Sequence, residues 1–168
     1  VGEDSGAKDL TEGLDVEGLS HMLVPDPARV TSRKTRIIAD GRHQVVRIDH
    51  ESDNDVTGRI QDQMLAEVDR RLPEVDVVLL SDYTKGCLSE GVIRAVLQAA
   101  KAAWKPVVVN AKPATLPIYR GATIISLNRS EASAAWGAEV NADNASECAR
   151  SHREKHRAEA VEITMGDA

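Results

Sequence analysis

Residues 75–86 divide into an apolar half and a polar half, and read Val75-Asp76-Val77-Val78-Leu79-Leu80-Ser81-Asp82-Tyr83-Thr84-Lys85-Gly86. The apolar half, broken only by Asp76, predicts a strand buried inside a sheet. The polar half begins where that strand runs out. Because ligands of parallel sheets bind beyond the carboxyl ends of the strands, this stretch predicts both a core strand and one wall of a binding site.

The same change from apolar to polar recurs at three later points of the chain. Apolar runs at 106–109, 122–127 and 161–164 predict further strands, and helical periodicity covers 89–100, 129–136 and about 144–159. Strands that alternate with helices build a mostly parallel sheet, so the predicted fold class is α/β. Polar segments follow the predicted strands at 81–86, 110–112, 128–131 and 164–166. We expect them to meet at one edge of the sheet.

The N-terminal third carries a hairpin signal. Two β-prone runs, at 34–39 and 42–48, flank Asp40-Gly41. Both central residues of a type I′ turn need positive φ, which Asp-Gly tolerates, so a hairpin over about residues 33–49 is predicted. Helices are predicted over 5–19, with Asp4 or Ser5 as the N-cap, and over about 53–72.

Composition narrows the class of protein. The chain has 168 residues, of which 42% are hydrophobic, 29% charged and only 2% aromatic, which suits one α/β domain with an aliphatic core. No apolar run approaches the roughly 18 residues of a spanning helix, so no membrane partner is expected. A net charge of -6 argues against nucleic acid as a partner. Two cysteines cannot build a disulfide framework and favour a cytoplasmic location.

The polar segments carry groups suited to phosphoryl transfer. They offer two ammonium groups, two carboxylates and two amides, from Lys85, Lys112, Asp82, Glu131, Asn110 and Asn128. Cationic groups and a hard metal ion neutralise phosphate charge, while carboxylates and amides hold the metal. The patterns GxxxxGK[ST] and GxGxxG are absent from the sequence. The residues alone therefore indicate an α/β enzyme for a polar or phosphorylated ligand.

Seven stretches spread along the chain carry a family resemblance. They are Val1-Gly2-Glu3-Asp4, Lys34-Thr35-Arg36-Ile37-Ile38, Arg42-His43-Gln44-Val45-Val46-Arg47-Ile48-Asp49, Ser81-Asp82-Tyr83-Thr84-Lys85-Gly86, Tyr119-Arg120-Gly121-Ala122-Thr123, Asn128-Arg129-Ser130-Glu131 and Thr164-Met165-Gly166-Asp167. In these stretches the sequence resembles an internal fragment of a ribokinase-like (PfkB) carbohydrate kinase. It is most similar to the D-glycero-D-manno-heptose-7-phosphate kinase branch, which serves ADP-heptose synthesis.

The resemblance implies a fold, an activity and a set of site residues. It implies a partial three-layer α/β/α kinase domain over residues 1–168, with the hairpin as a lid that pairs in a homodimer. The implied activity is phosphorylation of a sugar or sugar phosphate by ATP with Mg²⁺, in the closest case 1-phosphorylation of heptose 7-phosphate. The substrate is expected at Lys34, Arg36, Arg47, Asp82, Lys85 and Lys112. The nucleotide is expected at Asn128, Glu131, Thr164 and Gly166, with Asn128 and Glu131 near the metal.

The sequence also departs from the heptose kinase pattern. Asn110 stands where that branch usually has Asp. The resemblance places the family's catalytic Asp and its glycine-rich anion hole beyond Ala168, and a sugar-binding motif before Val1. The fragment by itself is therefore expected to be inactive.

Each candidate residue also has a structural interpretation. Asp82 and Lys85 could form a strand-end turn with a surface ion pair. Asn128 and Glu131 could form a helix cap, and the hairpin cations could protect a strand edge from aggregation. For function, the alternatives are a ribokinase-family kinase for ribose, fructose or a nucleoside, a non-catalytic sugar- or nucleotide-binding protein of the same fold, and an unrelated α/β domain that binds a phosphorylated metabolite.

Overall fold

The computed structural model describes residues 1–166 and separates into two compact units, Val1–Met64 and a second that begins at Leu65. Asp167, which belongs to the last of the seven resembling stretches, lies outside the described residues. The first unit contains α1 (Ser5–Val16), β1 (Arg33–Ala39), β2 (His43–His50) and the start of α2 (Gly58–Arg71). The second contains β3 (Val78–Ser81), α3 (Glu90–Ala102), β4 (Val107–Asn110), β5 (Ile124–Asn128), α4 (Arg129–Trp136), α5 (Ala145–His156) and β6 (Ala160–Thr164), with 3₁₀ helices at Leu72–Glu74 and Leu116–Tyr119.

Helix α1 begins at a cap that also anchors a later loop. The Asp4 carboxylate accepts hydrogen bonds from the backbone N–H groups of Ala7 at 3.0 Å and Thr31 at 2.8 Å. The bond from Thr31 is the largest reason why the pKa of Asp4 falls to about 2. The helix ends at Val16 rather than at the predicted residue 19, because Gly18 adopts a left-handed φ of 66° and turns the chain away.

The strands β1 and β2 form the predicted antiparallel hairpin. Asp40 and Gly41 have φ values of 50° and 68°, as a type I′ turn requires. Residues directly opposite each other share a face of the ribbon and successive residues alternate. The register therefore puts the pairs Ile37–Val46 and Thr35–Ile48 on one face, and the pairs Lys34–Asp49 and Arg36–Arg47 on the other. The hairpin has an apolar face and a charged face.

A four-stranded parallel sheet forms the centre of the second unit. Its strands follow the order β3-β4-β5-β6, so each strand lies beside its neighbour in sequence. Val109 of β4 and Ile125 and Leu127 of β5 are 0% exposed, as is Ile93 of α3. These aliphatic side chains build the core that the composition predicted. The α/β fold class with a mostly parallel sheet is confirmed.

Two elements differ from their predictions. Strand β3 is less buried than an interior strand, with Leu80 7% and Leu79 66% exposed, because it lies at an edge of the described sheet. Helix α2 starts at Gly58 instead of about residue 53, since the aspartates that suggested a cap belong to the preceding loop. Within the part of the chain that the structure describes, no helix combines the length and the apolar character needed to cross a bilayer.

Candidate functional site

The polar segments lie at the edge of the sheet where β3, β4, β5 and β6 end, here called the carboxyl edge. Ser81 pairs in register with Asn110, and Asn110 with Ser126. Asn128 pairs with Thr164. Because all four strands are parallel and adjacent, the segments that follow them meet at this edge, as expected from the sequence.

The first group at the carboxyl edge is a buried carboxylate. Asp82 follows β3 and is 2% exposed. Its Oδ1 accepts the backbone N–H of Thr84 at 2.7 Å, and its Oδ2 accepts the hydroxyls of Thr115 at 2.7 Å and Tyr119 at 2.9 Å. Both oxygens of the predicted substrate-binding Asp82 are therefore engaged by neutral donors inside the protein.

Tyr119 and Thr115 belong to this site although neither is among the predicted site residues, and Tyr119 occurs only at the start of a stretch that carries the family resemblance. They stand 37 and 33 residues from Asp82 along the chain and meet it only because the 3₁₀ helix Leu116–Tyr119 folds back beside β3. Tyr119 is 0% exposed. Burial, and then the hydrogen bond to Asp82, raises the pKa of Tyr119 well above its usual value. The hydroxyl therefore stays protonated and remains a donor.

An ion pair joins the segments that follow β4 and β5. Lys112 Nζ lies 2.6 Å from Glu131 Oε1. The other oxygen, Oε2, accepts the backbone N–H of Asn128 at 3.0 Å, and the Asn128 Oδ1 accepts the backbone N–H of Glu131 at 2.8 Å. This reciprocal capping box starts α4 and confirms the helix-cap interpretation of both residues. A cap does not exclude a ligand role, because Asn128 is exposed at the carboxyl edge.

The turn after β3 contributes an aromatic ring and a second lysine. Lys112 Nζ also lies 5.5 Å from the centre of the Tyr83 ring, within cation–π range. Thr84 and Gly86 have φ values of 54° and 74°, so the chain reverses tightly here. Lys85, between them, is partly exposed. The turn therefore brings Tyr83 and Lys85 to the same edge as Lys112.

The last strand brings the remaining predicted nucleotide-binding residues to this edge. Thr164 ends β6 next to Asn128 and is exposed. Gly166 follows with a φ of 72°, a conformation that suits glycine. The structure thus gathers Asp82, Lys85, Lys112, Asn128, Glu131, Thr164 and Gly166 at one edge of one unit.

The three predicted hairpin cations lie in the first unit, on the charged face of the ribbon. Lys34 Nζ lies 3.0 Å from Glu51 and 3.3 Å from Asp49, and the bond to Glu51 is the main cause of its raised pKa. Arg47 Nε lies 2.8 Å from Asp49 and, above all other causes, lowers the pKa of that carboxyl. Two carboxylates therefore accompany these cations, whereas Arg36 is exposed opposite Arg47.

The donors at the carboxyl edge suit a magnesium ion that arrives with phosphate. Among residues 1–166, no group of three or more His, Cys, Asp and Glu side chains could hold a metal ion directly. Asn128 and Glu131 supply one amide and one carboxylate. Mg²⁺ usually keeps several waters and takes one or two protein carboxylates together with substrate phosphates. Asn128 and Glu131 therefore fit such an ion, and they do not form a cage for a tightly bound one.

A pocket elsewhere in the second unit does not belong to this site. It has a volume of about 290 Å³ and is lined by Ala149, Arg150, Arg153, Glu159, Ala160 and Val161. Ala160 and Val161 start β6, whereas Thr164 ends it. The pocket therefore opens beside the opposite end of that strand.

Comparisons with known proteins agree with the fold and with the family resemblance. Residues 1–168 match the family described as pfkB family carbohydrate kinase. The bifunctional protein HldE of Caulobacter vibrioides is 45% identical over 148 residues, which cover 88% of this chain and 30% of that protein. The bifunctional protein HldE of Paramagnetospirillum magneticum is 38% identical over 144 residues, covering 85% of this chain and 29% of that protein.

Solved structures show the same architecture. Ribokinase from Giardia lamblia superposes with a TM-score of 0.75 at 12% identity, covering 99% of this chain and 51% of that chain. The tetrameric inhibited form of phosphofructokinase-2 from Escherichia coli gives a TM-score of 0.71 at 13% identity, covering 99% and 55%. The chain thus spans less than a third of these curated relatives and about half of these solved chains. It has a ribokinase-like α/β fold and belongs to the pfkB family of carbohydrate kinases.

Proposed function

We propose that this chain supplies the phosphate-handling edge of an ATP-dependent sugar kinase whose substrate is D-glycero-D-manno-heptose 7-phosphate and whose acceptor is the hydroxyl at position 1. The observation that carries the proposal is the convergence of four polar segments on the carboxyl edge, with Lys112 and Glu131 paired at 2.6 Å. Membership of the pfkB family supports a sugar kinase. Similarity to HldE proteins supports the heptose 7-phosphate branch that the sequence motifs indicate.

The nucleotide and its metal occupy the β5 and β6 side of this edge in our proposal. Thr164 and Gly166 bind the nucleotide phosphates through a hydroxyl and an unhindered backbone. Asn128 and Glu131 hold Mg²⁺ through water, and the ion neutralises the charge that develops on the transferred phosphoryl group. Lys112 adds a positive charge from the β4 side, where its ammonium can move from Glu131 to the phosphoryl group while that group is being transferred to the sugar.

The cations that we assign to the sugar phosphate belong to two different units of the chain. In the second unit, Lys85 and Lys112 are assigned to the reacting end of the substrate. In the first unit, Lys34, Arg36 and Arg47 are assigned to the phosphate that the substrate already carries. A guanidinium offers forked donors that match a phosphate. Because Asp49 already holds Arg47, an incoming phosphate has to compete with that carboxylate, and the exposed Arg36 opposite supplies the second guanidinium.

Kinetics of an arginine variant test the proposal. We expect Arg47→Ala in the full-length protein to raise the KM for heptose 7-phosphate at least roughly tenfold, because a charge-assisted hydrogen bond to phosphate is lost. The KM for ATP should stay within about twofold, since Arg47 is assigned to the acceptor. Coupled measurement of ADP release at varied sugar phosphate gives both constants.

Arg42→Ala is the matched control, because Arg42 is an exposed arginine of the same hairpin and lies in its turn. Unchanged use of heptose 7-phosphate by Arg47→Ala would contradict the sugar phosphate assignment. Turnover of ribose, fructose or a nucleoside in preference to heptose 7-phosphate would establish another ribokinase-family kinase. Ligand binding without ADP release from the wild type would establish a non-catalytic binding protein.

We further infer that the protein works as a homodimer through the hairpin and resides in the cytoplasm. Support for the dimer comes from the apolar face of the ribbon, where Ile37, Val46 and Ile48 are 47%, 44% and 55% exposed. Support for the compartment comes from Cys87 and Cys148, which are both free thiols.

A further inference from the structure

The buried carboxylate of Asp82 connects two loops of the candidate site. Its own turn, residues 82–86, follows β3 and carries Tyr83 and Lys85. Its partners Thr115 and Tyr119 belong to the segment after β4, which starts with Lys112. One side chain thus holds the two loops that present lysines at the carboxyl edge.

Backbone hydrogen bonds extend this connection on both sides. The Asp82 N–H donates to the Asn110 carbonyl at 2.9 Å and prolongs the β3–β4 pairing. The Lys112 carbonyl accepts the N–H groups of Thr115 and Leu116, each at 3.0 Å. The Thr115 hydroxyl is therefore anchored one turn from Lys112, and its bond to Asp82 fixes where the Lys112 segment lies relative to the β3 turn.

The chemistry of the three donors favours a permanent structural link. A carboxylate that is 2% exposed needs hydrogen bonds, and a backbone N–H and two hydroxyls provide them. Hydrogen bonds to an ionised acceptor are about twice as strong as neutral ones. Tyr119 retains its proton because it is buried against Asp82, so its donor is constant at any working pH. Both Asp82 oxygens are engaged before any substrate arrives.

We propose that Asp82, Thr115 and Tyr119 are positioning residues that set the distance between the Lys85 turn and Lys112, and that Asp82 does not itself contact the sugar phosphate. The inference rests on the proposed sugar kinase function. It assigns a role to Thr115 and Tyr119, which are not among the predicted site residues. Loss of the link should weaken sugar phosphate binding and spare ATP, because the assigned nucleotide contacts lie after β5 and β6.

The test uses substitutions that remove one donor each and leave the packing volume nearly unchanged. In the full-length protein, Tyr119→Phe and Thr115→Val should each raise the KM for heptose 7-phosphate on the order of tenfold and leave the KM for ATP within about twofold. Thr115→Ser keeps the hydroxyl and should behave like the wild type. A loss of stability alone would lower the melting temperature and the folded fraction without changing the KM of the folded enzyme.

Hydrogen exchange supplies a readout that does not depend on catalysis. Amides of residues 83–86 should exchange faster in Tyr119→Phe and Thr115→Val than in the wild type or Thr115→Ser. The reason is that Asp82, which accepts the Thr84 N–H, is then held in place by one hydroxyl fewer. Unchanged exchange in both variants would overturn the proposal. If the wild type transfers no phosphate to any sugar, the proposed function fails, and the exchange comparison still decides whether the link exists.

A double-mutant comparison separates positioning from direct contact. The comparison is between Asp82→Asn and a double variant that carries both Thr115→Val and Tyr119→Phe. If Asp82 acts through its two hydroxyl partners, Asp82→Asn should raise the KM for the sugar phosphate no more than the double variant does. The triple variant should add nothing to that effect. A much larger loss in Asp82→Asn than in the combined variant would show that the carboxylate touches the substrate, and the positioning role would be rejected.

Discussion

Glu131 at the carboxyl edge has an observed structural role and, in our proposal, a ligand role as well. It closes the capping box of α4 and pairs with Lys112, and its side chain is only 11% exposed. The cap can be retained while the charge is removed, because glutamine at the third helical position also completes a capping box. The two roles can therefore be separated by one substitution.

We expect Glu131→Gln to lower the affinity for ATP with Mg²⁺ roughly tenfold or more, because the amide attracts a hydrated cation and its phosphates far less than a carboxylate does. The unfolding free energy should change by less than about 1 kcal/mol, since the cap persists and Lys112 can return to water. Titration with ATP and Mg²⁺ followed by thermal shift measures the affinity.

Glu147→Gln, in the first turn of α5, is the control for losing one carboxylate near a helix start. If Glu131→Gln binds ATP with Mg²⁺ as the wild type does, Glu131 belongs to the cap alone.

Whether a contact between two side chains can be predicted from the sequence depends on how far apart the two residues are along the chain. Asn128 and Glu131 form their cap within one helical turn, so the pattern Asn-x-x-Glu was enough to suggest it. Asp82 finds Thr115 and Tyr119 only through the tertiary fold, and no spacing rule connects residues so distant in the chain. The sequence therefore indicated which residues reach the edge but not that Asp82 is already engaged by internal donors.

Among the helices, α5 buries two histidines inside the second unit. The rings of His152 and His156 stack with their centres 5.6 Å apart and are 2% and 3% exposed. Both nitrogens of His152 and the Nε2 of His156 make no hydrogen bond to the described residues. Desolvation is the main cause that lowers the pKa of His156 to about 4 and also lowers that of His152. Lys155 and Arg120 add unfavourable positive charge.

This pair predicts an acid-sensitive second unit. Histidines of the unfolded chain bind protons near pH 6.5, whereas His156 in the folded unit does so only near its pKa of about 4. The unfolded state therefore holds more protons between these values, so stability is complete above about pH 6.5 and falls as the pH drops toward 4. Trp104 and Trp136 both lie in this unit, so urea unfolding followed by tryptophan fluorescence at several pH values measures the effect.

Replacing His156 by Leu should remove up to about one proton from the pH slope of stability. His43→Leu, an exposed hairpin residue, is the control and should leave the slope unchanged. A slope that His156→Leu does not alter would mean that other groups cause the acid sensitivity.

Element prediction from sequence succeeded where a local signal was strong. Asp40-Gly41 specified the turn, and the limits of α4 at Arg129 and Trp136 follow from Asn128 before it and Gly137 after it. Strand β3 was predicted as buried because its composition is apolar, but position within the sheet decides burial, and that position depends on neighbours that composition does not reveal. Helix α2 starts later than predicted for a different reason, because the aspartates that suggested its cap lie in the preceding loop.

For the molecule as a whole, the composition and the order of elements indicated an α/β fold, and the seven resembling stretches indicated the family. The comparisons confirmed both. In our proposal the hairpin determines how two copies of the chain associate. Its apolar face is made by pairs such as Ile37–Val46 that would be costly to leave in water, so a second copy of the hairpin is the partner we expect.

Val46→Glu should convert the proposed homodimer to a monomer, because a carboxylate would be buried in an apolar interface. Light scattering after size-exclusion chromatography gives the mass directly. Gln98→Glu adds the same charge on the exposed side of α3 and should leave the mass unchanged. A dimer that persists in Val46→Glu would assign the interface to another surface.

Together, the two proposals for the hairpin predict that substrate binding depends on protein concentration. The cations and the aliphatic side chains of the hairpin occupy successive positions of the same two strands. In our proposal one face of this ribbon therefore recognises the acceptor and the other face binds a second copy of the chain. In the proposed dimer, the second copy would restrict the twisting of the ribbon and so hold the guanidinium groups in place. Dilution that dissociates the dimer would then lower the affinity for the sugar phosphate, although every side chain that contacts the substrate is still present.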